Sequence, residues 1–175
     1  MKKSLIVLVA VLFMFTAVPA FSQFIVGADY FNFEFEDETA PMFGGYVGYD
    51  MGDWELSLSY YMWEKEYNFS YGSTSFSWTM KLKPLHLIAI YKIAIPKSPE
   101  WVPFAGIGYG QTEFSIEGYE DDAESYDSWL WMIGVRYYFN QQTAVNLKYV
   151  SAEVDIEGNT GNGSGFGIGV SYKFK

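Results

Sequence analysis

Residues 164–174 read SGFGIGVSYKF, with Phe166, Ile168, Val170, Tyr172 and Phe174 at every second position and Gly165, Gly167, Gly169 and Ser171 in the gaps. A β-strand points successive side chains to opposite faces, so this spacing gives one bulky apolar face and one almost bare face. A soluble strand gives its wet face to Lys, Glu or Thr, and glycine in a strand interior weakens it. The pattern therefore demands an environment that accounts for both faces.

The pattern recurs along the chain. From residue 24 onward no segment repeats apolar residues at helical spacing over three turns, whereas eight alternating runs occur, at about 24–35, 42–50, 54–63, 76–92, 102–114, 128–139, 144–152 and 164–174. In the third, Trp54, Leu56, Leu58, Tyr60 and Met62 alternate with Glu55, Ser57, Ser59, Tyr61 and Trp63. In the sixth, Trp129, Trp131, Ile133, Val135 and Tyr137 oppose Leu130, Met132, Gly134, Arg136 and Tyr138. The first run supports two readings: either Phe24, Val26, Ala28 and Tyr30 form the apolar face, or Phe31, Phe33 and Phe35 do, with a bulge switching register between them. Pro84 falls inside the fourth run, where a bulge or a later strand start is expected, because proline cannot donate to a ladder.

The first 22 residues form a separate unit. Lys2 and Lys3 precede an apolar run from Leu5 to Val18, and small residues follow at Ala20 and Ser22. This is the layout of a cleaved secretory signal peptide, and the run is shorter than the ~20 residues a spanning helix needs. Cleavage is expected after Ser22, with Ala20 as the second choice, leaving residues 23–175 as one domain. The absence of cysteine excludes a disulfide framework and cysteine metal sites. Without Lys2 and Lys3 the chain carries nine basic and 21 acidic residues, a formal charge of −12, which argues against nucleic acid as a partner.

The connections alternate in character. After runs two, four and six come DMGD, IAIPKSPE and NQQT, which are compact. After runs one, three, five and seven come EDETAP, EKEYNFSYGSTS, SIEGYEDDAESYD and EVDIEGNTGNG, which tend to be longer and hold most of the acidic residues. Short turns at one end and long polar loops at the other describe an all-β, eight-stranded antiparallel up-and-down transmembrane β-barrel with both termini in the periplasm. Positions Ser73, Asp122 and Gly161 are then expected outside the cell and Gln141 inside. A secreted lipocalin-like barrel or a β-sandwich would turn the apolar face inward. Against those, the opposite face combines Gly and Ser with a few charges, which suits a narrow filled lumen. Aromatic residues also crowd the strand ends, at Trp54, Trp63, Trp101, Trp129, Tyr137, Tyr149 and Tyr172, as interface girdles require.

SGFGIGVSYKF also resembles the C-terminal strand of small Gram-negative outer-membrane β-barrel proteins, the OmpA/OmpX/OmpW-like group, and PFAGIGYG and MIGVRYYF resemble its internal strands. The resemblance covers essentially the whole chain after the signal segment and identifies a barrel class. It implies a bacterial outer-membrane location with outer-membrane lipids around a monomer. It also implies recognition by the barrel-assembly machinery through a terminal aromatic, which maps onto Phe174 and Tyr172. Its members suggest two alternatives to a structural or surface-interaction role: an outer-membrane lipid-modifying enzyme, or a narrow conduit for small hydrophobic compounds.

Residues suited to chemistry are few. His86 is the only histidine, and no serine lies within two positions of it, unlike the arrangement in the outer-membrane lipid A deacylase. A catalytic base needs a nucleophile beside it and a third group to orient it; a partner from another strand stays open, but with none local His86 is read as a polar lumen or wall residue. The acidic stretch 117–127 matches no calcium-loop spacing and is read as a solvated tip. GIGYG and GFGIG lie inside strands with no helix following, so they are not phosphate cradles. No catalytic residue, metal or cofactor is expected. The inward charges are the exception to a bland lumen: Glu55 and Arg136 should meet near the periplasmic end, with Asp50, Lys148 and Lys173 completing a polar network that plugs the barrel.

Overall fold

The computed structural model describes residues 23–71, 74–117, 123–156 and 158–174. The expected signal segment, together with Ser73 and Asp122, lies outside them. Eight strands follow one another: β1 (Gln23–Phe35), β2 (Glu38–Asp50), β3 (Trp54–Tyr71), β4 (Thr74–Lys92), β5 (Trp101–Ile116), β6 (Glu124–Tyr138), β7 (Thr143–Ile156) and β8 (Asn159–Lys173). Each pairs antiparallel with the next, and β8 returns to β1, from Ile25↔Lys173 to Phe35↔Gly163. Closure leaves no strand edge within the barrel wall, the condition for a sheet in lipid.

The faces separate as the alternation requires. Val47, Ile107, Ile133, Leu147, Ile168 and Val170 are all more than half exposed and form an apolar outer band. Aromatic pairs flank it. Trp54–Tyr91, Trp101–Tyr137 and Tyr172–Phe174 lie toward the turn end, and Tyr30–Phe43, Tyr109–Trp129 and Tyr149–Phe166 toward the other. The glycines of β8 point inward, where a Cβ on Gly167 would come within 2.4 Å of the Phe31 ring and one on Gly169 within 1.9 Å of Asp29 Oδ1. Bulk from β1 occupies the space that β8 leaves empty.

Five expectations change. β1 has no bulge: its ladder to β2 is continuous from Gln23↔Asp50 to Phe35↔Glu38. Both candidate apolar series are real, with Phe24, Val26 and Tyr30 exposed and Phe31, Phe33 and Phe35 buried inside. Pro84 is also accommodated without a bulge. Trp63↔Leu82 and Tyr60↔Leu85 share one register, so the missing N–H interrupts pairing toward β3 only at Tyr61 and Met62, while Pro84 stays opposite Thr112 of β5. Trp63 is not a girdle residue but a lumen residue, 1% exposed, whose Nε1 donates to the Phe33 carbonyl at 3.2 Å.

The long loops are mostly strand. β1 and β2 are joined by Glu36 and Asp37 alone, at φ 47° and 66°, the left-handed pair of a tight hairpin turn. β3 and β4 have 18 and 19 residues against the roughly 9–11 that cross a bilayer, so their hairpin projects well beyond the apolar band. The opposite end carries the connections 51–53, 93–100 and 139–142. Gly161, finally, is an inward position against Phe35 and a poor reporter of surface exposure. Cysteine replacing Asp37 is expected to react with an impermeant thiol reagent on intact cells, and cysteine replacing Gln141 only after lysis. The reverse labelling would invert the barrel.

Candidate functional site

The lumen changes character along its axis. Toward the turn end it is ionic. Arg136 of β6 places Nη1 2.8 Å from Glu55 Oε2 of β3, and its Nε donates to Asn146 Oδ1 of β7 at 2.8 Å. Ser57 Oγ donates to Glu55 Oε1 at 2.9 Å. Glu55 and Arg136 are 1% and 2% exposed, so this pair survives only because its hydrogen-bonding capacity is matched on several sides. Phe104 lies under the guanidinium, 5.7 Å from ring centroid to Cζ.

Two further ionic clusters bracket this pair. Lys148 Nζ lies 2.9 Å from Asp29 Oδ2, which also accepts from Tyr61 OH at 2.7 Å, and the ammonium sits 5.0 Å from the Tyr46 ring centroid. Asp50 is gripped by Lys92 at 2.5 Å and Lys173 at 2.8 Å, and these three residues line an open vestibule at the turn end. The five residues expected to form one network therefore divide among three clusters. Glu55 meets Arg136, Asp50 meets Lys173, and Lys148 turns to Asp29. Asp29, Lys92, Tyr61 and Asn146 are partners that sequence reading missed. Lys92 shares inward parity with Ile88 and Ile90, a usable signal; Asp29 was hidden by the two-way reading of β1.

Toward the hairpin end the lumen is apolar. Phe31, Phe33, Phe35, Trp63, Leu82 and Met132 belong to one buried cluster. Between the ionic and apolar zones lies His86, 2% exposed, with Nε2 2.8 Å from Ser128 Oγ, which accepts from Thr112 Oγ1 at 3.0 Å. His86 and Ser128 are 42 residues apart and come together through Gly110, which is opposite each of them in the β4–β5 and β5–β6 ladders. Having no side chain, Gly110 lets the imidazole reach across its strand. A serine beside a histidine is half of a nucleophile–base arrangement. Here no carboxylate hydrogen-bonds the imidazole among the described residues; Nδ1 has no partner.

Other candidate sites stay apart. Among the described residues no three acidic or histidine side chains are grouped to hold a metal. Within the acidic stretch, residues 118–122 lie outside the described residues. Tyr172 and Phe174 stand outward and partly exposed at the end of β8, where Gln142 Nε2 donates to Tyr172 OH at 2.9 Å and Phe174 N donates to the Phe24 carbonyl at 2.8 Å.

Charge is strongly segregated. Among the described residues, 12 of the 17 acidic residues fall in the hairpin-side stretches 34–38, 64–66, 113–117, 124–127 and 153–156, and only Lys65, Lys81 and Lys83 of the basic residues lie on that half. Lys65 pairs with Glu38 at 2.9 Å and Lys83 with Glu113 at 2.7 Å, so the excess is carboxylate.

Comparison with known proteins agrees with this architecture. The chain is similar to Neisserial surface protein A at 18% identity and a TM-score of 0.65, covering 87% of this chain and 97% of that one. It is similar to the N-terminal β-barrel domain of Pseudomonas aeruginosa OprF at 21% identity and a TM-score of 0.57, covering 87% and 99%. The outer membrane enzyme PagL is matched at 13% identity and a TM-score of 0.50, covering 86% and 99%. At these identities the shared property is the fold. No functionally curated protein matches the sequence significantly. The family model for the outer membrane protein beta-barrel domain matches residues 5–174. With a closed eight-stranded barrel, an apolar band between aromatic pairs and that match over nearly its whole length, the chain belongs to the outer membrane protein β-barrel domain family.

Proposed function

We propose that this outer-membrane barrel is a non-enzymatic, solute-tight protein that holds rigid acidic hairpins at the cell surface, in a structural or surface-interaction role. The observation that carries the reading is the buried Glu55–Arg136 pair with its flanking clusters, which fills the cross-section of a narrow lumen with bonded side chains. Eight-stranded barrels are just wide enough for such filling. The carboxylate excess on the hairpins suits cationic partners and repels anionic polymers. Outer-membrane lipids contact the apolar band, and the barrel-assembly machinery is the partner during biogenesis.

The test is electrical and chemical together. Protein reconstituted in a planar bilayer is expected to give no stepwise conductance, and its His86→Phe variant is expected to leave lipid A composition in the producing cells unchanged by mass analysis. Discrete current steps would replace the closed barrel with a pore. A changed lipid A profile would favour the enzyme.

A further inference from the structure

β3 and β4 outrun the barrel wall. The β2–β3 ladder ends at Met42↔Trp63 and the β4–β5 ladder at Met80↔Ile116, with one further bond from Glu117 N to the Thr79 carbonyl at 2.9 Å. From Tyr67↔Trp78 to Tyr71↔Thr74 the two strands pair only with each other among the described residues. Alternation sorts the side chains of this ribbon as it sorts those of the wall. Tyr67, Phe69 and Trp78 share the parity of Trp63 and Leu82, which are buried in the lumen, so their face stands over the hairpin-side mouth. Glu64, Glu66, Asn68 and Ser77 take the opposite face and are exposed. A ribbon wet on both faces has no core to fill, yet one of its faces is aromatic. Tyr67 and Trp78 stack across the strands, with centroids 4.4 Å apart and planes within 11°, and Phe69, two residues on, is 60% exposed. The stack supports the pairing of the two strands. It engages one face of each ring and leaves Phe69 uncovered, which marks the ribbon as a surface for a partner.

We infer that the face formed by Tyr67, Phe69 and Trp78 is a docking surface for an extended, arginine-bearing peptide segment of a partner protein, whose guanidinium groups stack on these rings. The inference rests on the surface-interaction reading and adds the place and chemistry of the contact. The surrounding charge selects a cation. Glu64 and Glu66 lie on the ribbon and Glu36 and Asp37 on the neighbouring turn, while Lys65, the basic residue on the aromatic face, is held by Glu38 at 2.9 Å. A second copy of this chain, or an anionic polymer, would bring more negative charge to the same end and is repelled. The rings select the form of the cation. A planar, weakly hydrated guanidinium stacks on an aromatic face better than a compact ammonium does, and Trp is the strongest such platform. One exposed contact of this kind changes affinity only about two- to fivefold, so the face favours a chain that repeats the group along the ribbon.

The chain has six tryptophans, so 5-fluorotryptophan gives one fluorine signal for each, and Trp78→Phe identifies that of Trp78 by removing it. In nanodiscs of zwitterionic lipid, a peptide of four Gly-Arg-Ser repeats is expected to shift the Trp78 signal saturably. The signal of Trp101, at the turn end, should stay in place. The lysine counterpart of the peptide is expected to bind about two- to fivefold more weakly. Tyr67→Ser/Phe69→Ser keeps every charge, and should weaken the arginine peptide by about fivefold and equalise the two peptides. Glu64→Gln/Glu66→Gln should weaken both peptides and keep their ratio. A Trp78 signal that does not move, or equal affinity for the two peptides in the wild type, overturns the docking face. So does an arginine preference that survives Tyr67→Ser/Phe69→Ser. The wild-type comparison holds however the ribbon tolerates substitution. Any of these failures would leave the solute-tight barrel standing, since conductance tests that separately.

Discussion

Replacing Arg136 with methionine is expected to lower folding stability by about 3–5 kcal/mol, because it strands the Glu55 carboxylate in a space where it is 1% exposed. Glu55→Gln strands the guanidinium instead, with Asn146 Oδ1 still accepting from Nε, so its cost should be smaller. The double variant should be more stable than the sum of the two losses predicts, since it removes both charges and leaves two groups of similar shape. Urea unfolding in lipid vesicles measures all four corners of the cycle. A coupling energy of about 1–3 kcal/mol is expected for partners 2.8 Å apart, and a value below ~0.5 kcal/mol would show that the two sites act independently.

That pair was legible because two simple rules converge on it. Arg136 lies on the face of β6 opposite Trp129, Trp131 and Ile133, which are exposed to the surroundings, so it must point inward. Glu55 follows the turn at 51–53 and Arg136 precedes the one at 139–142, so both lie near the same end. The rules fail where the lumen itself becomes apolar. Phe31, Phe33 and Phe35 look like lipid-facing residues, and only the unbroken β1–β2 ladder shows that they are inside. Asp29 was lost in the same ambiguity, and with it the partner of Lys148. Trp63 was misread for a related reason: an aromatic near a strand end satisfies the girdle pattern whichever way it faces.

Beyond the bilayer the alternation signal disappears for a physical reason. Glu64, Glu66 and Asn68 of β3 are exposed, with water as their outer environment, so no apolar residue is required there and the sequence reads as loop. Strand length in such a hairpin is set by backbone pairing, from Glu64↔Lys81 to Tyr71↔Thr74, and pairing leaves little trace in side-chain type. The His86–Ser128 contact had no local signature either. It depends on two ladders meeting at one glycine, and neither register is visible in composition.

The Gly169→Val barrel is expected to lose at least ~3 kcal/mol of stability, because one small substitution removes both steric room and a charge partner. Gly169 pairs with Asp29 at the seam where β8 closes onto β1, and a Cβ there would lie 1.9 Å from Asp29 Oδ1 and 2.7 Å from the Ala28 carbonyl oxygen. The carbonyl belongs to the backbone and cannot yield. The Asp29 carboxylate must therefore swing away, abandoning Lys148 Nζ at 2.9 Å and Tyr61 OH at 2.7 Å. Lys148 is then a buried ammonium that has lost its hydrogen-bonded counterion and keeps the Tyr46 and Phe31 rings beside it. Two comparisons isolate the cause. For Gly167→Ala the three nearest atoms all belong to the Phe31 ring, a side chain that can shift, and the cost should be about 1–3 kcal/mol. Val170→Leu, one residue along and facing lipid, should stay within about 0.5 kcal/mol of the wild type. Urea unfolding in vesicles ranks the three. If Gly169→Val falls within ~1 kcal/mol of Val170→Leu, Asp29 is not fixed by the seam, and the bare face of β8 serves only to admit the aromatic side chains of β1.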